Sequence, residues 1–384
     1  MDFNKIETNV VDRLSQNTRK LGYSNVTRTN AINRSNNRSS NRASNKTRRS
    51  SHSYRPTINQ KLVSFKSLKR TTLNHCNTVK AFKLMEALKI AVSKNKCVQY
   101  DTPSAKKVLL DRLRANKHVT ISKIIPPKQI DGNCWFNVMF VMFFVSDKGR
   151  KFFHFFRQLM IEGKDISGKP IPEGLKDAFA LLNYGVELAL TGSKYALTAD
   201  TNFIIVEIFN NIPDEYKYNK ITRHKDVPDE WDAGNPIDYY NAIMNYLNVN
   251  SVSMMEQVLT PDWQITLANK IKNMSKPPHI IVMPVYQDGI TNKLTKFKVN
   301  NIKYMIDSAS VINDKREHFS CCLTCEGKEM AFDGMSAHRI VPMQWKKNLN
   351  KNIGWGFEGS VNKGVPLVWN FQTCYQQLIY YRTR

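Results

Sequence analysis

The feature that most constrains the fold is a polar turn that runs directly into an unbroken apolar segment. The turn reads Gln129-Ile-Asp-Gly-Asn-Cys-Trp-Phe-Asn137, and the apolar run behind it extends from Val138 to Val145. A segment this hydrophobic must be covered on all sides, which predicts a helix buried in the core. Cys134 then falls in its first turn, where unpaired backbone N–H groups and the helix dipole favour a thiolate. The alternative is a purely structural cysteine.

The charge balance points to an anionic partner. The chain of 384 residues carries 57 Lys and Arg against 32 Asp and Glu, a formal net charge of +25. Such an excess is typical of proteins that contact nucleic acid or an anionic surface. No apolar run approaches the roughly 18 residues of a membrane span, so no membrane partner is expected. No secretory signal peptide is visible at the N-terminus. The seven cysteines are scattered and odd in number, which indicates a reducing compartment rather than a disulfide framework.

Residues 1–75 are predicted to form a disordered basic tail. Between Arg13 and Met85 the sequence has no Asp or Glu, while Arg and Lys recur among Ser, Asn and Thr. With few apolar residues, the segment cannot bury enough surface to offset the entropy of ordering. Its basic residues suit phosphate contacts, which predicts nucleic-acid binding. The arginines that carry this prediction are Arg34, Arg38, Arg42, Arg48 and Arg49. A targeting or solubilising tail is the alternative.

After the tail, the pattern is first helical. Residues 76–125 are predicted to be a helical linker, with amphipathic helices from Val79 to Val92 and from about Ser104 to Ala115. Residues 126–275 are predicted to be mainly helical, including the buried helix behind Cys134.

The pattern of apolar and polar residues changes in residues 276–384, which are predicted to be mainly β. The run from His279 to Tyr286 is typical of a buried strand, and Cys374 to Arg384 is compatible with a short closing helix. Helices followed by an antiparallel sheet predict an α+β fold.

A predicted hairpin supplies partners for the cysteine. One strand runs from His318 to Cys325 and the other from Met330 to Asp333, with the turn Glu-Gly-Lys-Glu between them. Antiparallel pairing places the start of the first strand beside the end of the second, so His318 and Asp333 should be neighbours. A histidine oriented by a carboxylate is the general base that a cysteine nucleophile needs. The sequence therefore predicts a triad of Cys134, His318 and Asp333.

Further residues are candidates for supporting roles. Gln129 has a side-chain amide that can donate to an oxyanion, together with the backbone N–H of Cys134. Asn133 is the alternative donor. His338 is an alternative base and Asp307 an alternative orienting carboxylate.

The same hairpin offers a competing interpretation, a zinc site. His318-x-x-Cys321 and Cys322-x-x-Cys325 present four soft ligands close together in sequence. On a strand, however, Cys321 and Cys325 point to one face while His318 and Cys322 point to the other. Converging them would break the strand, so no metal and no cofactor is expected.

Two segments resemble a known family. Asn133-Cys-Trp-Phe-Asn137 followed by an apolar helix resembles the cysteine box of papain-like ubiquitin-specific proteases, and the Asp-Gly-Asn-Cys tetrad is similar to the ovarian-tumour class of deubiquitinases. His318-Phe319, the glycine-containing hairpin and Phe332-Asp333-Gly334 resemble the histidine box. Glu329-Met330 stands where ubiquitin-specific proteases carry Trp-Tyr, and Asn133 replaces their usual Thr. The resemblance implies a papain-like α+β fold, with Cys134 on a helical half and His318 and Asp333 on an antiparallel β half.

The resemblance also implies a function. The implied protein is a thiol hydrolase that cleaves a peptide or isopeptide bond and has a ubiquitin-like protein as its substrate. A basic, Asn- and Lys-rich chain with these boxes is most similar to the divergent cysteine proteases of large nucleocytoplasmic DNA viruses, which implies a place in the virion or host cytoplasm, or in the nucleus. The alternatives are a maturation protease acting on a viral precursor protein, an inactive virion structural or nucleic-acid-packaging protein, and a thiol acyltransferase.

Overall fold

The helical half of the molecule precedes its main sheet. The computed structural model describes residues 75–130, 132–197, 199–217, 236–249, 251–286, 292–313, 318–336 and 340–383. The helices are α1 (Val79–Phe82), α2 (Pro103–Ala115), α3 (Cys134–Phe144), α4 (Asp147–Phe152), α5 (His154–Glu162), α6 (Lys176–Thr191), α7 (Thr201–Asn211), α8 (Asp214–Lys217), α9 (Pro236–Leu247) and α10 (Trp263–Lys272). A small antiparallel hairpin, β1 (Lys89–Ser93) and β2 (Lys96–Gln99), lies between α1 and α2.

The second half is built on an eight-stranded sheet. Its remaining strands and the short pairs beside it are β3 (Met254–Glu256), β4 (Ile280–Val285), β5 (Lys296–Val299), β6 (Ile302–Ile312), β7 (Phe319–Cys325), β8 (Lys328–Phe332), β9 (Val341–Pro342), β10 (Gly354–Trp355), β11 (Val361–Asn362), β12 (Val365–Pro366), β13 (Trp369–Asn370) and β14 (Gln376–Thr383). The order in the sheet is β3-β4-β14-β6-β7-β8-β9, with β5 paired to β6. Only the β3–β4 pair among these is parallel. The predicted α+β class is confirmed.

Both faces of the sheet are covered, and this explains the apolar character of its central strands. Ile280 and Val282 of β4 pack in the cluster formed with the helices. Ile281 and Met283 pack in the opposite cluster. That second cluster is filled by tryptophans of the C-terminal segment, Trp345, Trp355 and Trp369. A strand that is covered on both faces has a continuous apolar sequence, as the segment from His279 to Tyr286 has.

Helix α3 is the predicted core helix. It begins at Cys134, and all 11 of its residues are buried. It packs against β6 and β7 on one side and against α7 and α9 on the other. Because neighbours surround it completely, the helix carries no polar stripe. Its position lays the start of the helix against the sheet that carries the predicted hairpin.

The β7–β8 hairpin forms with the predicted turn. Glu326 and Gly327 both have positive φ, 47° and 71°, as a two-residue turn of the I′ type requires. The turn sets a register that pairs Cys325 with Lys328 and Cys321 with Phe332. The residues that follow at the open end of the hairpin, His318 and Asp333, are thereby brought together.

Two expectations from the sequence are wrong, and one disulfide was not predicted. The C-terminal residues form β14, a central strand between β4 and β6, rather than a helix. The helix predicted from Val79 to Val92 stops at Phe82, because Leu84 adopts a left-handed backbone (φ 57°), and Lys89–Ser93 is a strand. Cys76 and Cys97 form a disulfide. The pairing of β14 with its neighbours and the Cys76–Cys97 disulfide both join residues far apart in sequence, and no local pattern indicates either of them.

Among the described residues, no helix is both long enough and apolar enough to cross a bilayer. The tail arginines Arg34, Arg38, Arg42, Arg48 and Arg49 lie outside the described residues, as does His338.

Candidate active site

Cys134 lies at the point where the turn meets the core. It is the first residue of α3 and only 8% exposed. The turn is tied to the end of the β7–β8 hairpin, because the backbone N–H of Gln129 donates to the carbonyl of Gly334 at 3.0 Å. A Cβ on Gly334 would lie 3.2 Å from both the N and the Cβ of Gln129, so this close approach favours glycine. The contact holds the cysteine turn beside Asp333.

A buried polar network fixes the shape of the turn. The Asn133 carboxamide oxygen accepts from the backbone N–H of Ile130 at 3.0 Å, and its amide donates to Thr201 Oγ1 at 2.9 Å. Thr201 in turn donates to Asn137 Oδ1 at 2.8 Å. Asn133 is fully buried. Its side chain therefore holds the turn, whereas Gln129 is half-buried at the rim.

The structure brings the three predicted side chains together. His318 Nε2 is hydrogen-bonded to Asp333 Oδ1. The side chain of Cys134 lies close enough to the same imidazole to interact with it. His318 and Asp333 are 3% and 0% exposed, so the pair is shielded from water.

The environment of His318 favours its cationic form. Burial alone would lower its pKa, but the carboxylate of Asp333 and the side chain of Cys134 outweigh burial and raise the pKa of His318 to about 10. The imidazole is then an imidazolium at neutral pH.

Residues that the sequence did not indicate hold the His318–Asp333 pair. The Ser360 hydroxyl donates to Asp333 Oδ2, and the backbone N–H of Met335 donates to Oδ1 at 3.2 Å. The indole N–H of Trp369 donates to the carbonyl of His318 at 3.2 Å, and the two rings lie 5.8 Å apart. Ser360 and Trp369 lie 27 and 51 residues from their partners, so spacing gives no signal for either.

The remaining candidates are placed elsewhere. Asp307 accepts the backbone N–H of Lys148 at 2.9 Å at the start of α4 and does not orient His318. Burial raises the pKa of Asp307 to about 6. Cys321 and Cys325 face the helices while Cys322 packs on the other side of the sheet, so β7 separates the thiols as strand alternation predicts.

Ser360 provides a graded test of the site. Ser360→Ala is expected to lower kcat about tenfold with little change in KM, because the hydroxyl orients Asp333 and touches no substrate. Steady-state kinetics on a cleavable substrate measure the split. Ser310→Ala is the matched control, since Ser310 is a buried serine that donates to Gln377 Oε1 at 3.0 Å within the sheet. Equal losses in the two variants would contradict a positioning role for Ser360.

Comparison with known proteins gives little. No family model matches the sequence, and no curated protein matches it. Among solved structures, the chain is similar to the crystal structure of an essential yeast splicing factor, with 9% sequence identity, 77% of this chain and 84% of that chain covered, and a TM-score of 0.38.

Proposed function

We propose that the chain is a thiol hydrolase of papain-like α+β fold that cleaves a peptide or isopeptide bond. The observation that carries this proposal is one buried imidazole, His318, which is hydrogen-bonded to the Asp333 carboxylate and interacts with the side chain of Cys134. A cysteine at the start of a buried helix, facing a histidine on a neighbouring antiparallel sheet, supports the fold assignment. The cysteine and histidine boxes support it from the sequence.

The proposed reaction begins with a thiolate–imidazolium pair. The Cys134 sulfur attacks the carbonyl carbon, a C–S bond forms, and the carbonyl oxygen becomes an oxyanion. The backbone N–H of Cys134 and the Gln129 amide are the proposed donors to it. Gln129 is preferred over Asn133, because the Asn133 side chain is committed to the buried network.

The second half of the reaction regenerates the enzyme. Collapse of the tetrahedral intermediate breaks the C–N bond, and the leaving amine takes a proton from the imidazolium of His318. The neutral imidazole then accepts a proton from water as the water attacks the thioester. Collapse of this second tetrahedral intermediate breaks the C–S bond and releases the carboxylic acid product, which restores the thiolate–imidazolium pair. Asp333 holds the imidazole in the required tautomer throughout.

The proposed substrate is a ubiquitin or ubiquitin-like conjugate. The support is the likeness of both boxes to those of deubiquitinases, since the residues around the site do not themselves specify an acyl group. A ubiquitin bearing a C-terminal electrophile is expected to form one covalent adduct that resists denaturant and maps to Cys134.

Control experiments distinguish an error in the proposed substrate from an error in the proposed nucleophile. Cys134→Ala should form no adduct, and probes based on ubiquitin-like proteins test selectivity. If none of these probes reacts while Cys134 is still alkylated by a small electrophile, the ubiquitin-like substrate is wrong, and a viral precursor protein becomes the substrate to test.

A further inference from the structure

A second cysteine cluster lies far from Cys134 in sequence, at the start of the described chain. Cys76 and Cys97 form a disulfide, and His75 is adjacent. The ligand atoms of these three side chains all lie within 4.8 Å of one another. Cys97 and His75 are exposed and Cys76 is half-buried, so a solute ion can reach them. Of the described residues, this is the one group of three or more His, Cys, Asp or Glu side chains placed closely enough to hold a metal ion.

The backbone around Cys76 is held independently of the sulfur–sulfur bond. The neighbouring Asn77 accepts the backbone N–H of Lys89 at 2.8 Å and donates to the carbonyl of the same residue at 2.9 Å. Its amide also donates to the hydroxyl of Tyr184, a buried residue, at 3.0 Å. Lys89 begins β1, and Ala91 of that strand pairs with Cys97 of β2. Reduction of the disulfide therefore leaves the two sulfurs facing each other.

We propose that, once reduced, Cys76, Cys97 and His75 form a zinc site. A dithiol reductant supplies the two electrons and two protons that convert the disulfide to two thiols. Binding of Zn²⁺ then releases the thiol protons as the thiolates and the neutral imidazole coordinate the ion, with water in the fourth position. Tetrahedral zinc with these ligands needs donor atoms about 3.5–3.8 Å apart, so the two sulfurs must move apart once the bond between them is broken.

The other thiols offer no comparable set. Cys321, Cys322 and Cys325 are buried on alternate faces of β7, and burial raises the pKa of each thiol, so they stay protonated. Cys76 and Cys97 combine exposure, proximity and an adjacent imidazole. The same two sulfurs form either the disulfide or the metal site, so the two states exclude each other.

Cobalt titration of the reduced full-length chain tests the site. After reduction by a dithiol and removal of the reductant under anaerobic conditions, Co²⁺ should bind at one ion per chain, with a sulfur-to-cobalt charge-transfer band and the visible absorption of tetrahedral cobalt. Zn²⁺ should displace it. Cys97→Ser and His75→Ala should each weaken binding by at least about 100-fold. Cys134→Ala should leave the spectrum unchanged, which separates this cluster from the catalytic thiol.

Three results would overturn the proposal. The first is reduced protein, verified by thiol counting, that gives no charge-transfer band. The second is a cobalt affinity that Cys97→Ser or His75→Ala leaves unchanged. The third is a disulfide that resists excess dithiol in the folded chain. Circular dichroism of each variant verifies that it is folded, and the exposure of Cys97 and His75 makes both substitutions compatible with folding.

Discussion

Replacing Cys134 by alanine is expected to abolish cleavage, with a loss in kcat/KM of about 10⁶-fold. The sulfur is the proposed nucleophile, and the alanine side chain has no atom that can form the acyl-enzyme. His318→Ala should cost about as much, because nucleophile and base act as one unit. Asp333→Asn should cost less, about 10⁴-fold, because the carboxylate orients the imidazole and stabilises its charge without itself taking the proton. Release of a fluorophore from the C-terminus of ubiquitin measures all three.

A second cysteine controls for the loss of a thiol as such. Cys322 is buried on the sheet face opposite α3, so Cys322→Ala should leave kcat/KM within about twofold of wild type if the fold tolerates the small cavity. Thermal unfolding of Cys134→Ala should match that of wild type. Retention of more than about a hundredth of the activity in Cys134→Ala would contradict the assigned nucleophile.

Glu187→Ala is expected to lower the free energy of unfolding by about 3–5 kcal/mol. Glu187 of α6 forms an ion pair with Arg157 of α5, and their side chains are 0% and 4% exposed. Asn116, just beyond α2, donates to Glu187 Oε1 at 2.8 Å. Removing the carboxylate leaves a buried guanidinium without its counter-charge, which costs more than the pair itself contributes. Urea unfolding, followed by circular dichroism, measures the change.

The double variant tests the cause of that loss. Arg157→Met combined with Glu187→Leu removes both charges and keeps most of the volume, so it should be clearly more stable than Glu187→Ala. The exposed pair Arg114–Asp111, with side chains 67% and 56% exposed, serves as the matched surface control, and Asp111→Ala should change stability by less than about 1 kcal/mol. A loss below about 1 kcal/mol in Glu187→Ala would show that the buried pair does not stabilise the helices.

The sequence predicted the parts of this site that depend on local pattern. The start of α3 at Cys134 follows from an apolar run behind a polar turn. The approach of His318 to Asp333 follows from a hairpin whose turn residues, Glu326 and Gly327, set the register. Both inferences need no information beyond the residues of one or two adjacent elements.

The parts that were missed depend on contacts between distant segments. The last strand, β14, was compatible with a helix until its partners were known, because a strand inserted between β4 and β6 is chosen by tertiary pairing. Ser360 reaches Asp333 only because the segment after β10 returns to the open end of the β7–β8 hairpin. The Cys76–Cys97 pair has the same origin. The sequence around Ser360, Cys76 or Cys97 does not indicate which residue each of them contacts.

The central claim is that His318 holds Cys134 in a reactive form, and the rate of alkylation tests it most directly. In a Cys76→Ser, Cys97→Ser background, iodoacetamide should label Cys134 first, ahead of the buried thiol Cys374. Because the pKa of His318 is raised to about 10, its imidazolium persists at neutral pH, so labelling should change little between about pH 6 and 8. A free thiol would react up to tenfold faster for each unit of pH over that range.

The decisive comparison is with His318→Ala in the same background. Peptide mapping by mass spectrometry should show labelling of Cys134 at least about tenfold slower at pH 6.5, with the steep pH dependence of an ordinary thiol restored. Cys134 that stays inert while Cys374 is labelled, or that reacts at the same rate with and without His318, would contradict the account.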